Sequence, residues 1–339
     1  MLKPFITKVV EGTDLSEAES REAMALIMEG EVPVTQIAAF LVALRMKGET
    51  MEEIIGFARA MRAKALRIRA RDGEPVVDTC GTGGDRKGTF NISTTVAFVA
   101  AGGGCTVAKH HNRSVSSQCG SADVLEALGI DCALTPEKAE ASLQKLGLAF
   151  LFAPTFHPAL RHAMVPRREI GIRTIFNLLG PLTNPAGATI HLTGLYREDL
   201  LRPVAEVLRR LGSRAAFVVH SEDHCDEIGI CGKTTICQLK EEAITTYEIQ
   251  PETVGLKRAR LEEIQGGTPE KNADILVRVL RGELGPPRDV VLLNAAAVFV
   301  ASEKASDLRD GVEMARESID SGRAMKKLEA LIRFSNRGR

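Results

Sequence analysis

The chain has 339 residues, with 44 Lys and Arg against 44 Asp and Glu, so its formal net charge is zero. That balance lacks the basic field which general nucleic-acid or anionic-membrane binding requires, and 2 Tyr, 12 Phe and no Trp leave little for base stacking. A hydrophobic fraction of 44% and a charged fraction of 26% describe an ordinary soluble protein of about two folding units.

At the amino end, Lys8 and Glu11 arrive before an apolar h-region could form, which predicts no signal peptide. Asp14-Leu15-Ser16-Glu17 offers a helix start, and Ala23, Leu26 and Ile27 follow at helical spacing. Pro33 suits the first turn of a second helix carrying Ile37, Phe40, Leu41 and Leu44. Thr50 caps a third, with Ile54, Ile55, Ala58 and Met61 on its buried face. Residues 1–70 therefore read as a small helical unit.

From residue 75 the pattern changes. Short β-branched runs at 75–78, 105–108 and 216–219 alternate with helical segments, which predicts a mostly parallel sheet flanked by helices. Ligands of such sheets sit beyond the carboxyl ends of the strands, and the polar clusters fall there.

The first cluster, Asp78-Thr79-Cys80-Gly81-Thr82-Gly83-Gly84-Asp85, leads through Thr89 and Asn91-Ile92-Ser93-Thr94 into a helix. Glycines let backbone N–H groups approach an anion, and the helix start adds positive potential. Neither familiar nucleotide motif fits: the dinucleotide fingerprint meets Arg86, and a Walker loop meets Thr89 where it needs Lys. The second cluster, Lys109-His110-His111-Asn112-Arg113-Ser114-Val115-Ser116-Ser117, brings two fixed cations and three hydroxyls, with Ser121 opening the next helix; such a set suits a phosphate ester. Adjacent histidines on an extended chain point opposite ways, so His110 and His111 do not make a metal pair.

The third cluster, Glu222, Asp223, Asp226 and Glu227, follows a strand and suits Mg2+, which takes one or two carboxylates plus waters and phosphate oxygens. The fourth runs from Pro166-Arg167-Arg168-Glu169 to Leu182-Thr183-Asn184-Pro185; an arginine there could fork onto a carboxylate or serve as a surface ion-pair partner. The seven cysteines form no C-x-x-C pair, which fits reduced thiols in the cytoplasm. The longest uncharged run, residues 89–108, is broken by Asn91, three hydroxyl residues and three glycines, and does not make a membrane span.

Taken in order, and with Gly120-Ser121-Ala122-Asp123, Arg173-Thr174-Ile175-Phe176-Asn177, Gly180-Pro181 and Asn294-Ala295-Ala296 added, these segments resemble the anthranilate phosphoribosyltransferase family almost end to end. The resemblance implies a small all-helical domain (residues 1–70, joined by a segment near 160–190) and a larger α/β domain (75–339). It also implies a homodimer through the helical part and transfer of a phosphoribosyl group from 5-phosphoribosyl 1-diphosphate to anthranilate with Mg2+. By resemblance, Gly81, Gly84, Asp85, Thr89, Asn91, Ile92, Ser93, Thr94, Lys109 through Ser117 and Ser121 bind the diphosphate substrate. Gly81, His110, Asn112 and Arg167 face anthranilate, and Ser93, Asp226 and Glu227 contact Mg2+. No dedicated acid or base is implied.

Three places depart from the family pattern. Val165-Pro166 precedes Arg167 in place of Pro-Val, Cys225 stands where a Gly-Leu-Asp-Glu turn has its apolar residue, and His111 replaces glycine. Either the His111 ring points to solvent, or a left-handed backbone costing about 1–2 kcal/mol biases the loop away from its closed form; the crowded neighbours favour the second. Two other functions fit the architecture. A pyrimidine-nucleoside phosphorylase would not carry the Asn-Arg-Ser-Val-Ser-Ser and Asp-Glu-Ile combination, and a silent binding relative would have eroded phosphate motifs and a basic surface.

Overall fold

The computed structural model describes residues 1–83, 87–113 and 118–336. Helices α1 (Lys3–Val10), α2 (Glu17–Glu29), α3 (Val34–Lys47) and α4 (Met51–Lys64) make up the amino-terminal unit. Two capping boxes set their starts: Ser16 with Glu19, and Thr50 with Glu53. Pro33 stands at the N-cap of α3 rather than inside its first turn. Helix α1, which precedes the expected first start, begins at a proline compatible with a helix's opening turn. Glu53 is wholly buried, yet accepts from the Leu15 and Thr50 N–H groups and from Lys47 Nζ, so its charge is compensated on three sides.

The α/β unit follows as β1 (Val76–Asp78), α5 (Ile92–Gly102), β2 (Thr106–His111), α6 (Ser121–Ala127), α7 (Pro136–Leu146) and β3 (Leu148–Phe152). Short helices α8 (Ala153–Phe156), α9 (Arg161–Ile170) and α10 (Phe176–Leu179) intervene before β4 (Ile190–Gly194), α11 (Leu201–Arg210) and β5 (Ala215–Ser221). The hairpin β6 (Thr234–Lys240) and β7 (Ala243–Ile249) and helices α12 (Pro269–Leu280), α13 (Pro286–Ala301), α14 (Leu308–Asp320) and α15 (Arg323–Ser335) complete it.

The seven strands form one sheet in the order β3-β2-β1-β4-β5-β6-β7. The first five are parallel and the hairpin is antiparallel to them. Strand alternation divides the core between two faces. Phe217 and Val219 pack with Val77, Val107, α5 and α13, whereas Ala216 and Val218 face α11 and a second cluster. That second cluster is continuous with the helical unit: Phe40, Leu44, Ile55 and Phe57 share it with Ala163, Phe176 and Leu208. Helix α9 packs onto α2 and α3, and α10 onto α4. No helix among the described residues is long and apolar enough to cross a membrane.

Candidate active site

Strand order reverses at the β1–β4 junction, since β1 continues to β2 on one side and pairs with the later β4 on the other. Open parallel sheets bind ligands in the crevice at such a switch point. The glycine-rich segment leaves β1 there and meets the end of β4: Thr82 donates its N–H to Gly194 O at 2.9 Å. Gly83 donates to Asp226 Oδ2 at 2.6 Å, joining the first polar cluster to the third. The approach is close enough to require glycine. A Cβ on Gly194 would lie 1.5 Å from the Asp226 carbonyl oxygen, and one on Gly81 would lie 3.1 Å from Asp226 Oδ2.

Lys109, on β2, is buried beneath this crevice. Its Nζ donates to Thr79 O at 2.6 Å and to Ser93 Oγ at 3.2 Å, and its third proton has no partner among the described residues. Asp78 closes β1 and is buried too. Its carboxylate accepts from Asn184 Nδ2 and the His110 N–H, and burial pushes it up to about 6 against the opposing pull of Lys109. The α5 N-terminus opens on the same space. Asn91 does not cap that helix; its Oδ1 accepts from Asn272 Nδ2 instead, so first-turn N–H groups remain for an anion. Ile92 is buried and Thr94 Oγ1 is buried without a partner among the described residues. Thr89 bridges to Gln265, and Ser121 is the first residue of α6.

The turn after β5 carries Asp226 and Glu227, both half-buried. Asn294 on α13 anchors its far end, accepting from the Ile228 N–H and donating to Ile228 O, which gives the Asn294-Ala295-Ala296 motif a physical task. Burial, then the Asp78 charge, pushes the neighbouring Cys80 thiol well up, with Asp226 and Glu227 adding to it. Two adjacent carboxylates and the Ser93 hydroxyl are hard oxygen donors of the kind Mg2+ takes alongside waters and phosphate. Among the described residues no three His, Cys, Asp or Glu side chains are grouped to hold a metal by themselves.

The second wall comes from residues 157–180. His110 Nδ1 donates to Gly180 O at 2.9 Å; a carbonyl only accepts, so the proton sits on Nδ1, and Nε2 has no partner among the described residues. His157 lies beside it, the two rings tilted at 51° with centroids 5.1 Å apart. Burial lowers His110 to about 4 and His157 to about 3, so both are neutral. Arg167, on α9, lies over the Phe176 ring at 4.8 Å, has no carboxylate within ion-pair distance among the described residues, and is pulled down by burial. It is joined to His110 through the 176–180 segment; no hydrogen bond among the described residues links it to Gly81 or Asn112.

Two sequence expectations are corrected. His111 is neither solvent-facing nor left-handed: it pairs with Phe152 in extended backbone at the end of β2. Its buried ring lies on Phe150 and Phe152, at centroid distances of 5.8 and 5.5 Å, so its side chain is core rather than substrate contact. Arg113 is turned onto α6, 3.0 Å from Asp123 and 2.5 Å from Glu126, while Asn112 Oδ1 accepts the Arg113 N–H. Gly84, Asp85, Ser114, Val115, Ser116 and Ser117 lie outside the described residues. The sequence places Asp78 and Asn184 within polar clusters but gives neither a role, and it does not mark His157 at all; burial against neighbouring segments brings the three beside His110. A separate cavity of about 310 Å³, lined by Ser213, Arg214, Lys240 and Glu303 among others, lies at the opposite end of the sheet.

Residues 3–65 match the helical bundle domain of a glycosyl transferase family, and residues 73–325 match its a/b domain. An anthranilate phosphoribosyltransferase of Moorella thermoacetica is 57% identical over 98% of both chains. The crystal structure of the Thermus thermophilus anthranilate phosphoribosyltransferase superposes with a TM-score of 0.92 at 47% identity, covering 97% of this chain and 98% of that one. The Saccharomyces cerevisiae enzyme in complex with PRPP and Mg gives 0.90 at 28% identity, over 98% and 97%.

Proposed function

The chain belongs to the anthranilate phosphoribosyltransferase family, and we propose that its β1–β4 crevice receives 5-phosphoribosyl 1-diphosphate while the wall of residues 157–180 receives anthranilate. The enzyme transfers the 5-phosphoribosyl group to the amine of anthranilate, giving N-(5-phosphoribosyl)anthranilate and diphosphate in tryptophan biosynthesis. The Gly83–Asp226 hydrogen bond carries the assignment of sites, because it unites phosphate loop and carboxylate pair across the switch point.

In this reading Ser93, Asp226 and Glu227 hold Mg2+, which when bound supplies positive charge against the departing diphosphate. Lys109 adds a fixed cation under the crevice, and the uncapped α5 start offers N–H groups to phosphate oxygens. Gly81 lets backbone approach both substrates. Arg167 pairs with the anthranilate carboxylate, and its lack of a carboxylate partner among the described residues leaves that role open. His110 Nε2 accepts a hydrogen from the amine and orients it, with Asn112 and the neighbouring His157 bordering the ring. An aromatic amine is already unprotonated at neutral pH, so no base is required. Attack at C1 of the ribose then proceeds as diphosphate leaves, through a transition state of oxocarbenium character.

The test is a fluorescence assay of anthranilate consumption with and without the diphosphate substrate and Mg2+. Loss of signal needing all components supports the reading; phosphorolysis of thymidine or uridine with anthranilate untouched overturns it. We further propose a homodimer through the helical unit, where α1 and α3 pack together and leave Val10, Val34 and Met46 exposed. Light scattering that gives a monomer mass would reject it. Seven free thiols fit a cytoplasmic location.

A further inference from the structure

His224 has a backbone φ of +61°, a conformation that disfavours any residue bearing a Cβ and for which glycine is the unstrained choice. It sits two residues before Asp226, on the exposed surface of the turn that carries the carboxylate pair. Something must hold it there, and the hydrogen bonds identify what. His220 Nδ1 lies 2.7 Å from Leu195 O, so that nitrogen donates and Nε2 is left as an acceptor. His224 Nδ1 approaches this Nε2 at 3.4 Å, with the two rings 5.5 Å apart. The His224 N–H also donates to Ser221 O at 2.8 Å, closing the turn.

The acceptor for His220 is placed where the site is assembled. Leu195 directly follows Gly194, whose carbonyl takes the Thr82 N–H and whose Cα faces the Asp226 backbone. A continuous chain of contacts therefore runs from His224 through His220 and Leu195 to Gly194, and from there to both the glycine-rich loop and Asp226. Asn294 secures the far end of the turn; at the near end the Cys225 N–H donates to Ser221 Oγ at 3.1 Å and to Asp223 Oδ1 at 3.3 Å, and the histidine pair adds a tie to the end of β4.

We propose that His224 is a positioning residue: with His220 it forms an imidazole clasp that fixes the metal-binding turn against the end of β4, presetting Asp226 and Glu227 for Mg2+ and the diphosphate substrate. The clasp rests on the assignment of Mg2+ to Asp226 and Glu227. It acts through backbone placement and touches neither substrate.

His224→Gly removes the ring and relieves the backbone, whereas His224→Ala removes the ring and keeps the constraint; the exposed position lets both fold. In metal-free, substrate-free protein, amide hydrogen exchange of residues 221–229 should speed up in both variants, with the rest of the chain unchanged. The Mg2+ concentration for half-maximal rate should rise roughly tenfold, the lower end for losing a support behind a metal ligand, and the KM for the diphosphate substrate should follow. The KM for anthranilate should stay put, and the Ala variant should melt below the Gly variant. Unchanged exchange at 221–229, or equal shifts in both substrates' KM values, overturns the clasp while leaving the metal assignment standing. A wild-type enzyme indifferent to Mg2+ overturns the metal assignment and the clasp with it.

Discussion

At the scale of single residues, His111 shows how a substitution that reads as strain becomes packing once its neighbours are known. Its ring fills the space between Phe150 and Phe152 on extended backbone, so there is no left-handed conformation for glycine to relieve. His111→Gly should lower stability by about 2–4 kcal/mol through the emptied volume, with roughly 0.5–1 kcal/mol more for glycine inside a strand. Urea titration measures this; a variant of undiminished stability and tighter substrate use would restore the strain account. Arg167 and the Asp226–Glu227 pair lie on different walls, so their loss should be felt by different substrates. Arg167→Ala should raise the KM for anthranilate about 10- to 100-fold, the range for removing a charged hydrogen bond of about 1.5–3 kcal/mol. Asp226→Asn with Glu227→Gln should chiefly impair use of the diphosphate substrate. Steady-state kinetics with each substrate varied in turn decides the matter, and equal effects on both would refute the division.

At the scale of elements, the proposed site depends on how closely strand ends approach the turn that carries Asp226 and Glu227. Gly194 ends β4 with no room for a methyl group, since its Cβ would meet the Asp226 carbonyl at 1.5 Å. The obstacle is backbone and cannot rotate away, so Gly194→Ala must push the turn outward or open the β4–β5 ladder. Mg2+-dependent turnover should collapse by at least about a hundredfold, the upper end for disturbing the support of a metal ligand, while the far-ultraviolet spectrum stays native-like; near-normal kcat/KM would mean that the turn has slack. The sequence made the elements themselves legible through periodicity and caps: Ser16 and Thr50 mark two helix starts, and the β-branched runs mark β1, β2 and β5. The polar clusters now proposed to bind phosphate and metal were legible as clusters, because glycines, hydroxyls and charges gather along the chain. His157 was not, since no local pattern marks it, and Asn184 was legible only as a member of a polar cluster, its contact with buried Asp78 being set by packing. Strand register, rather than spacing, decides that His111 meets Phe152, and the loop before β4 carries Asn184 onto Asp78.

At the scale of the whole molecule, the same burial creates a titration imbalance that pH should expose. His110, His111, His157 and His191 are all buried, and burial lowers every one of them, to about 4 for His110 and about 3 for His157 and His191. An unfolded imidazole takes a proton near its ordinary value of about 6.5, which the folded ones refuse. Below that pH the unfolded state thus binds more protons, and each histidine removes stability at about 1.4 kcal/mol per pH unit until its folded value is reached. Asp78 works the other way. Its folded value of about 6 exceeds the ordinary carboxylate value, so the native state gains protons first and acidification through pH 6 favours folding. Four groups oppose one, leaving a net loss of about 4 kcal/mol per unit between roughly pH 6 and 4. Against a total stability of about 5–15 kcal/mol, that is enough to unfold the protein within a few units. The thermal midpoint should therefore fall steeply between about pH 6.5 and 4.5, earlier than carboxylate protonation alone would bring it down. His111→Phe, which keeps an aromatic ring between Phe150 and Phe152 and removes one refused proton, should flatten that descent by about a third. A midpoint constant from about pH 7 to 5, or an unaltered slope in His111→Phe, would show that these imidazoles titrate normally and that the burial is looser than the geometry requires.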